Sequence, residues 1–208
     1  MSLYGRFFAA VYDRALAATE EAGLAERRAT LLAQAGGRVL EVGAGTGLNL
    51  RYYGEAVTEL VLCEPDPSMA AKLEQRVATA GGAARVVMAP AEGLPFADGE
   101  FDFVVATLVL CTVADLEGAL AEARRVLAPG GRLLFCEHVR SPDPRVAHWQ
   151  RRLTPLQRRV ARGCHLDRDP VGAMAAAGFA LEELELGRMP KAAPVLRPLA
   201  VGSAVADH

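Results

Sequence analysis

The run Val39-Leu40-Glu41-Val42-Gly43-Ala44-Gly45-Thr46-Gly47 constrains this chain more than any other stretch. A β-prone segment enters three glycines at alternate positions, and the residues that follow predict a helix. Glycine adopts backbone conformations that a Cβ forbids, and it lets another group approach the main chain closely. A helix beginning there offers free N–H groups and the positive end of its dipole. The competing expectation is a tight strand-to-helix turn with no ligand.

Around this loop the chain alternates short apolar runs with helical stretches. Segments 38–42, 60–63, 84–88, 101–110 and 131–137 read as strands, with 179–186 and 196–205 as a sixth and seventh. Segments 46–54, 67–80 and 115–128 read as helices, as does 4–34, with Gly23 and Gly36 as stops or turns. Such alternation predicts βαβ units and a parallel sheet. The early strands are apolar almost throughout, which fits a sheet covered on both faces. A chain of 208 residues suits one such core. The expected organisation is one domain over 1–208, with 1–34 as a helical cap and 140–178 as an insert roofing the substrate.

Charge and cysteine usage remove several function classes. The formal net charge is -2, so no nucleic-acid partner is expected. Cys63, Cys111, Cys136 and Cys164 are scattered singly, which predicts reduced thiols and a cytoplasmic protein. No metal is expected, because zinc sites read from sequence need clustered ligands. No run approaches the ~18 apolar residues of a membrane span, and the start of the chain does not read as a signal peptide. A soluble protein is expected.

The loop spacing is G-x-G-x-G, whereas a dinucleotide turn favours G-x-G-x-x-G around a pyrophosphate. A nucleoside with a methionine tail suits it better. Glu64 stands at the end of the next strand, about twenty residues on, where a carboxylate can accept from both ribose hydroxyls. Segment 89–92 is turn-rich and ends the third strand, at the sheet edge where open α/β folds bind ligands.

Taken together, VLEVGAGTG, CEPDPSM, EGLPFADGEFDFVVA and RVLAPGGRLLFCEHV resemble the class I S-adenosylmethionine-dependent methyltransferases of the ubiquinone/menaquinone type. The resemblance implies an α/β, Rossmann-like three-layer sandwich. Its seven-stranded sheet is mostly parallel, with an antiparallel last strand. S-adenosylmethionine is the implied cofactor, with S-adenosylhomocysteine as product. Gly43, Ala44, Gly45 and Gly47 then pass under the methionine part. Glu64 holds the ribose, Pro65 and Met69 lie near the adenine, and backbone groups of Ala91 and Glu92 edge it. Thr107 and Leu108 stand beside the reactive end. Many relatives carry Asp where Pro90 stands here, so Glu92 or a backbone carbonyl takes that contact.

A further likeness is to the methyltransferase-like thiol S-methyltransferases of animal membranes. It rests on TLVLCTV at 107–113, PGGRLLFCEHV at 129–139, Trp149-Gln150, Gly163-Cys164 and VLRPLAVGSAV near the C-terminus. Those relatives carry an N-terminal hydrophobic anchor, so the likeness implies a soluble cousin. Amino-group methyltransferases often show Asn/Asp-Pro-Pro-aromatic after the fourth strand. Thr-Leu-Val-Leu stands here instead and points to S, O or C acceptors, with sulfur ahead. The expected acceptor is a small, apolar molecule. Two other readings are a nicotinamide-dependent oxidoreductase, disfavoured by the loop spacing and the lack of a Tyr-x-x-x-Lys pair, and a non-catalytic binding module for the same cofactor.

Methyl transfer requires alignment and exclusion of water more than it requires a base. His138, at the end of the fifth strand, is the candidate base; shaping the pocket is the alternative. Tyr12 and Tyr4 close over the cofactor in one reading and pack a helix in the other. Trp149, Cys164 and His165 are candidate pocket residues in the insert. Trp149 serves equally as a core anchor, and Cys111 and Cys164 serve as buried small hydrophobes. Arginines at 140, 145, 151, 152, 158, 159, 162 and 168 surround an apolar repeat at Val146, Trp149, Leu153, Leu156 and Val160, which predicts a basic amphipathic helix over 145–162. It forms a solvated face, a peripheral contact with anionic lipid, or a lure for an anionic substrate.

Overall fold

The computed structural model describes residues 3–81 and 83–206, apart from the side chains of Leu3, Tyr4 and Arg6. The expectation for Tyr4 therefore lies outside the described residues. Strands β1 (Gly37–Val42), β2 (Val57–Cys63), β3 (Arg85–Val87), β4 (Phe101–Thr107), β5 (Leu127–His138), β6 (Phe179–Arg188) and β7 (Pro198–Ala206) form one sheet. Its order is β3-β2-β1-β4-β5-β7-β6. The first five strands pair in parallel, and β7 runs antiparallel to both β5 and β6. This is the expected mostly parallel sheet with its antiparallel last strand.

The central parallel strands β1 and β4 are buried over most of their length, with helices on both faces. Helices α1 (Leu3–Thr19) and α2 (Ala25–Leu32) precede β1, while α3 (Pro67–Ala80) and α4 (Leu116–Val126) follow β2 and β4. Helices α5 (Pro144–Val160) and α6 (Pro170–Ala176) make up the insert between β5 and β6. One apolar cluster joins Leu40, Phe101, Val104, Leu120 and Phe135. A second joins Leu24, Leu32, Val39, Val105 and Leu134 on the side of α2.

Local chemistry sets where helices begin. The Asp66 carboxylate accepts from the N–H groups of Ser68 and Met69, and Pro67 supplies the fixed φ of a first turn. Gly81 ends α3 in the left-handed region, at φ 64°. The Asp115 side chain caps α4 through Gly118 N–H.

Segment 4–34 breaks at the expected Gly23, which takes φ 128° within Glu20–Leu24 and parts α1 from α2, and one helical expectation changes. Segment 46–54 is not a helix: turns lead to one 3-10 turn at Leu50–Tyr52. Gly43, Gly45 and Gly47 all sit at positive φ, which spends the loop on reversals. The Asn49 side chain is drawn inward to a buried polar group, while its carbonyl accepts from Tyr52 N–H in the 3-10 turn. No helix dipole therefore points at this loop, and the N–H groups of Ala44, Gly45 and Gly47 are bonded to the Cys63 carbonyl, Glu64 and the Ala44 carbonyl.

Candidate functional site

Three glycines of one loop have different physical reasons. At Gly43 (φ 62°) an added Cβ would stand 2.1 Å from Val109 Cγ2, so the loop lies hard against the chain after β4. At Gly47 (φ 83°) it would meet Leu73 Cδ1 at 2.7 Å. At Gly45 (φ 60°) its nearest neighbours are Met69 Cε at 3.7 Å and the Gly43 carbonyl at 3.9 Å. Gly43 is thus required by packing, Gly47 by its left-handed φ more than by the end of one leucine side chain, and Gly45 leaves open a cradle floored by backbone.

Glu64 closes one side of that cradle. It is buried, and its two oxygens accept from Gly45 N–H (2.9 Å) and Asp66 N–H (2.9 Å). Burial raises its pKa, and those two N–H groups oppose the rise. A carboxylate offers about four acceptor positions. Two are used here, and the others suit vicinal hydroxyls. Ala91 is buried, Glu92 half-buried and Pro65 exposed. The Glu92 carboxylate is turned to the loop after β4, accepting from Ala114 N–H (2.7 Å) and Asp115 N–H (3.2 Å).

Helix α1 is fastened over the loop. Thr46 donates to Asp13 (2.5 Å), Arg76 pairs with Asp13 (2.9 Å), and Lys72 donates to the Ala9 carbonyl (2.5 Å). Tyr12 stacks obliquely on Phe8 with centroids 5.5 Å apart. Burial pushes its hydroxyl up to about 12, and Arg28, Cys111, Glu20 and Asp13 are the charged or ionisable groups around it. At the far rim Arg162 pairs with Asp66 and covers the Phe8 ring at 5.7 Å, which joins the end of α5 to α1 and α3.

Beneath the loop lies a polar network that sequence reasoning missed. Arg28 is buried and pairs with Glu20 (3.0 Å). It also donates to Asn49 Oδ1 (2.8 Å) and Thr107 Oγ1 (3.1 Å). Asn49 Nδ2 donates to Thr107 Oγ1 (2.8 Å) and Glu41 Oε1 (2.9 Å), and Tyr53 donates to Glu41 Oε2 (2.7 Å). Burial pushes the Glu41 carboxyl up to about 7, against the pull of Tyr53, Asn49 and Arg28. The available signal was a carboxylate inside an otherwise apolar strand. Arg28 and Asn49 carried none.

After β4 the wall is apolar. Leu108 takes φ 54°, a left-handed conformation that costs a non-glycine residue of order 1–3 kcal/mol. Its N–H is held by the Cys136 carbonyl (2.9 Å). Glu137 is fully buried, and its Oε1 accepts from Val109 N–H (2.9 Å) and Leu110 N–H (3.0 Å). Its carboxyl rises to about 7 by burial, opposed by backbone N–H groups. His138 is only 2 % exposed and its Nε2 lies 3.1 Å from the Val195 carbonyl.

The insert is pinned across these strand ends. Gln150 is buried and bonds Ser141 N–H (2.8 Å) and the carbonyls of Val139 (3.2 Å) and Val195 (3.0 Å). Arg168 donates to the carbonyls of Leu110 (2.9 Å) and Val113 (2.7 Å). His165 N–H donates to the Cys111 carbonyl (2.8 Å), and Cys164 and Cys111 are in contact. Trp149 stands apart from all of these. It is 55 % exposed, with Arg152 over its ring at 5.9 Å, so it is not a core anchor.

An open backbone cradle at Gly45, a buried carboxylate with acceptor positions left, and an apolar wall stand together at the sheet's carboxyl edge, where open α/β folds bind ligands. The residues present fit S-adenosylmethionine. A family model described as "Methyltransferase domain" matches residues 40–135. Human thiol S-methyltransferase TMT1B is 38% identical over 177 residues, 82% of this chain and 70% of that one. A demethylmenaquinone methyltransferase from Parafrankia sp. is 39% identical over 134 residues, 56% of this chain and 52% of that one. A crystal structure of an S-adenosylmethionine-dependent methyltransferase from Thermotoga maritima superposes with a TM-score of 0.71 at 24% identity, covering 98% of each chain. The chain belongs to the S-adenosylmethionine-dependent methyltransferases. S-adenosylmethionine is its cofactor, and the oxidoreductase and non-catalytic readings find no support.

Proposed function

We propose that this methyltransferase acts on a small, apolar acceptor through sulfur. The observation that carries the reading is the apolar wall after β4, formed by Leu108, Val109 and Leu110; the adjacent Glu137 spends its Oε1 on the N–H groups of Val109 and Leu110, while its buried Oε2 has no partner. His138 is buried against Val195 and does not serve as a base in this reading. With His138 turned to Val195, an acceptor that ionises by itself near neutral pH needs the least from the protein. A thiol does so near pH ~8.5, whereas a phenol needs ~10. The thiol acceptor named for the TMT1B relative agrees; the quinone-type relative marks the competing carbon acceptor.

In the same reading Gly43, Ala44, Gly45 and Gly47 carry the methionine part and Glu64 takes the ribose hydroxyls. Met69 and Pro65 flank the adenine, backbone groups of Ala91 and Glu92 edge it, and Tyr12 closes over it from α1. Thr107 orders the end of β4 through Asn49 and Arg28. Cys164 and His165 belong to the roof. The bound cofactor supplies a methyl group on a sulfonium centre. The protein's part is to align the acceptor and keep water away.

The test is a competition with equal concentrations of an alkyl thiol, a phenol and a demethylated quinol, read as methylated products by mass. Thioether should dominate, with a rate that climbs from pH 6 to 8.5 as thiolate forms. Faster methylation of the quinol carbon would overturn the sulfur assignment.

A finer reading concerns where the acceptor comes from. Trp149, Leu156 and Val160 are 55%, 60% and 54% exposed on α5, and with half-buried Leu153 they make one stripe at helical spacing. Exposed Arg151, Arg152, Arg158 and Arg159 flank it. This supports α5 resting on anionic lipid beside the roof. Among the described residues no helix is long and apolar enough to cross a membrane, so the contact is peripheral. Cosedimentation with phosphatidylserine vesicles but not phosphatidylcholine vesicles is expected; equal recovery with both would remove the charge argument.

A further inference from the structure

Cys111 and Cys164 are 53 residues apart in sequence, and their sulfurs lie 3.9 Å apart in the fold. His138 comes from a third element, and a ring nitrogen of it completes a group whose ligand atoms all lie within 4.8 Å of one another. All three residues are buried, at 3%, 7% and 2% exposure for Cys111, Cys164 and His138. Leu153, Ala161, Leu166, Val195 and Leu196 pack around the two cysteines.

The spacing distinguishes what this group is built for. A disulfide needs its sulfurs at ~2.05 Å. Two thiolates sharing one tetrahedral ion at ~2.3 Å stand about 3.8 Å apart. The histidine is also set up as a ligand. Its Nε2 faces the Val195 carbonyl, which is how a metal-binding imidazole is commonly oriented and its tautomer selected. Its Nδ1 is buried with no hydrogen-bond partner, and a buried lone pair without a partner costs free energy. Nothing in methyl transfer uses that nitrogen.

We propose that Cys111, His138 and Cys164 bind one thiophilic d10 cation of the zinc class. Three protein ligands leave a fourth position to water or another soft donor. Binding releases the two thiol protons to solvent. Two thiolates and a divalent ion make a neutral unit, the form in which such charges enter an apolar enclosure. The ion ties the chain after β4, the end of β5 and the loop after α5 to one point, which locks the roof onto the sheet.

The full chain, reduced and stripped with chelator, is titrated with Zn2+ against a chromophoric competitor and, separately, with Co2+. One ion per chain and thiolate-to-cobalt charge-transfer absorption are expected. Cys111→Ser, Cys164→Ser and His138→Ala should each lose the ion, while Cys63→Ser and Cys136→Ser keep it. The proposal fails if the wild-type chain binds no more Zn2+ than the Cys111→Ser/Cys164→Ser double variant. It fails equally if the reduced chain binds none and mild oxidation removes two titratable thiols, which would make the pair a disulfide. Both readouts are independent of any acceptor, so an error in the sulfur assignment leaves this test intact.

Discussion

The glycine-loop cradle and the insert, assigned by proposal to cofactor and roof, are built from opposite materials. The cradle uses main chain: Gly45 N–H and Asp66 N–H on Glu64, Ala44 N–H on the Cys63 carbonyl, and three glycines at positive φ. Its parts lie within some thirty consecutive residues. The roof uses side chains reaching across the sequence: Gln150 to Val195, Arg168 to Leu110, and Cys164 to Cys111. A cradle of backbone resists added Cβ atoms and accepts varied side chains. A roof of side chains tolerates neither truncation nor loss of a partner, but it lets the acceptor pocket change while cofactor binding stays the same.

The strongest way to break this comparison is at the glycines. Gly43→Ala should cost ~2–4 kcal/mol of stability, combining left-handed strain with overpacking on Val109. Gly45→Ala should cost only ~1–2 kcal/mol, since Met69 Cε is an ordinary 3.7 Å away, yet weaken cofactor binding more than Gly43→Ala weakens it per unit of stability lost. Denaturant unfolding together with calorimetry separates the two; equal stability losses would refute the packing account of Gly43.

Next comes Glu64→Ala. It should weaken S-adenosylmethionine binding by ~1–3 kcal/mol, because buried hydroxyls of the ligand lose a charged acceptor. Unchanged affinity in calorimetry would reject the ribose role.

A smaller effect is expected from Glu41. Its folded carboxyl holds a proton up to about 7, above the 4.5 of the unfolded chain. Between these values the native state binds more protons, so stability from this residue is full below 4.5 and is lost as pH rises through about 7. Thermal midpoints measured from pH 4.5 to 8 should fall less steeply for Glu41→Gln than for wild type. Identical slopes would show that the network keeps Glu41 ionised throughout.

The smallest change is expected at Trp149→Ser. Half-exposed on α5, it should alter stability by less than ~0.5 kcal/mol while lowering recovery with anionic vesicles. A marked loss of stability would place Trp149 back among the structural residues.

The sequence alone determined the sheet and the cradle. Strand periodicity, the capping Asp66-Pro67 and Asp115, and the alternate glycines are local signals, and local signals survive in a linear string. It also placed Glu64 correctly beside the loop, because β1 and β2 are neighbours joined by a short connection. Tertiary structure decided the rest. The residues after Gly47 turn instead of forming a helix, because three reversals and the buried bonds of Asn49 outweigh helix propensity. Arg28, Asn49, Thr107 and Glu41 became one network only when α2, the loop, β4 and β1 packed together. Trp149 went to the surface because Gln150, its neighbour, turned inward to bond Val139 and Val195. Cys111, His138 and Cys164 showed no ligand spacing in the chain, since sheet order sets their distances and residue count does not. Main-chain geometry is written in neighbouring residues; side-chain convergence across a sheet exists only once the strands are paired.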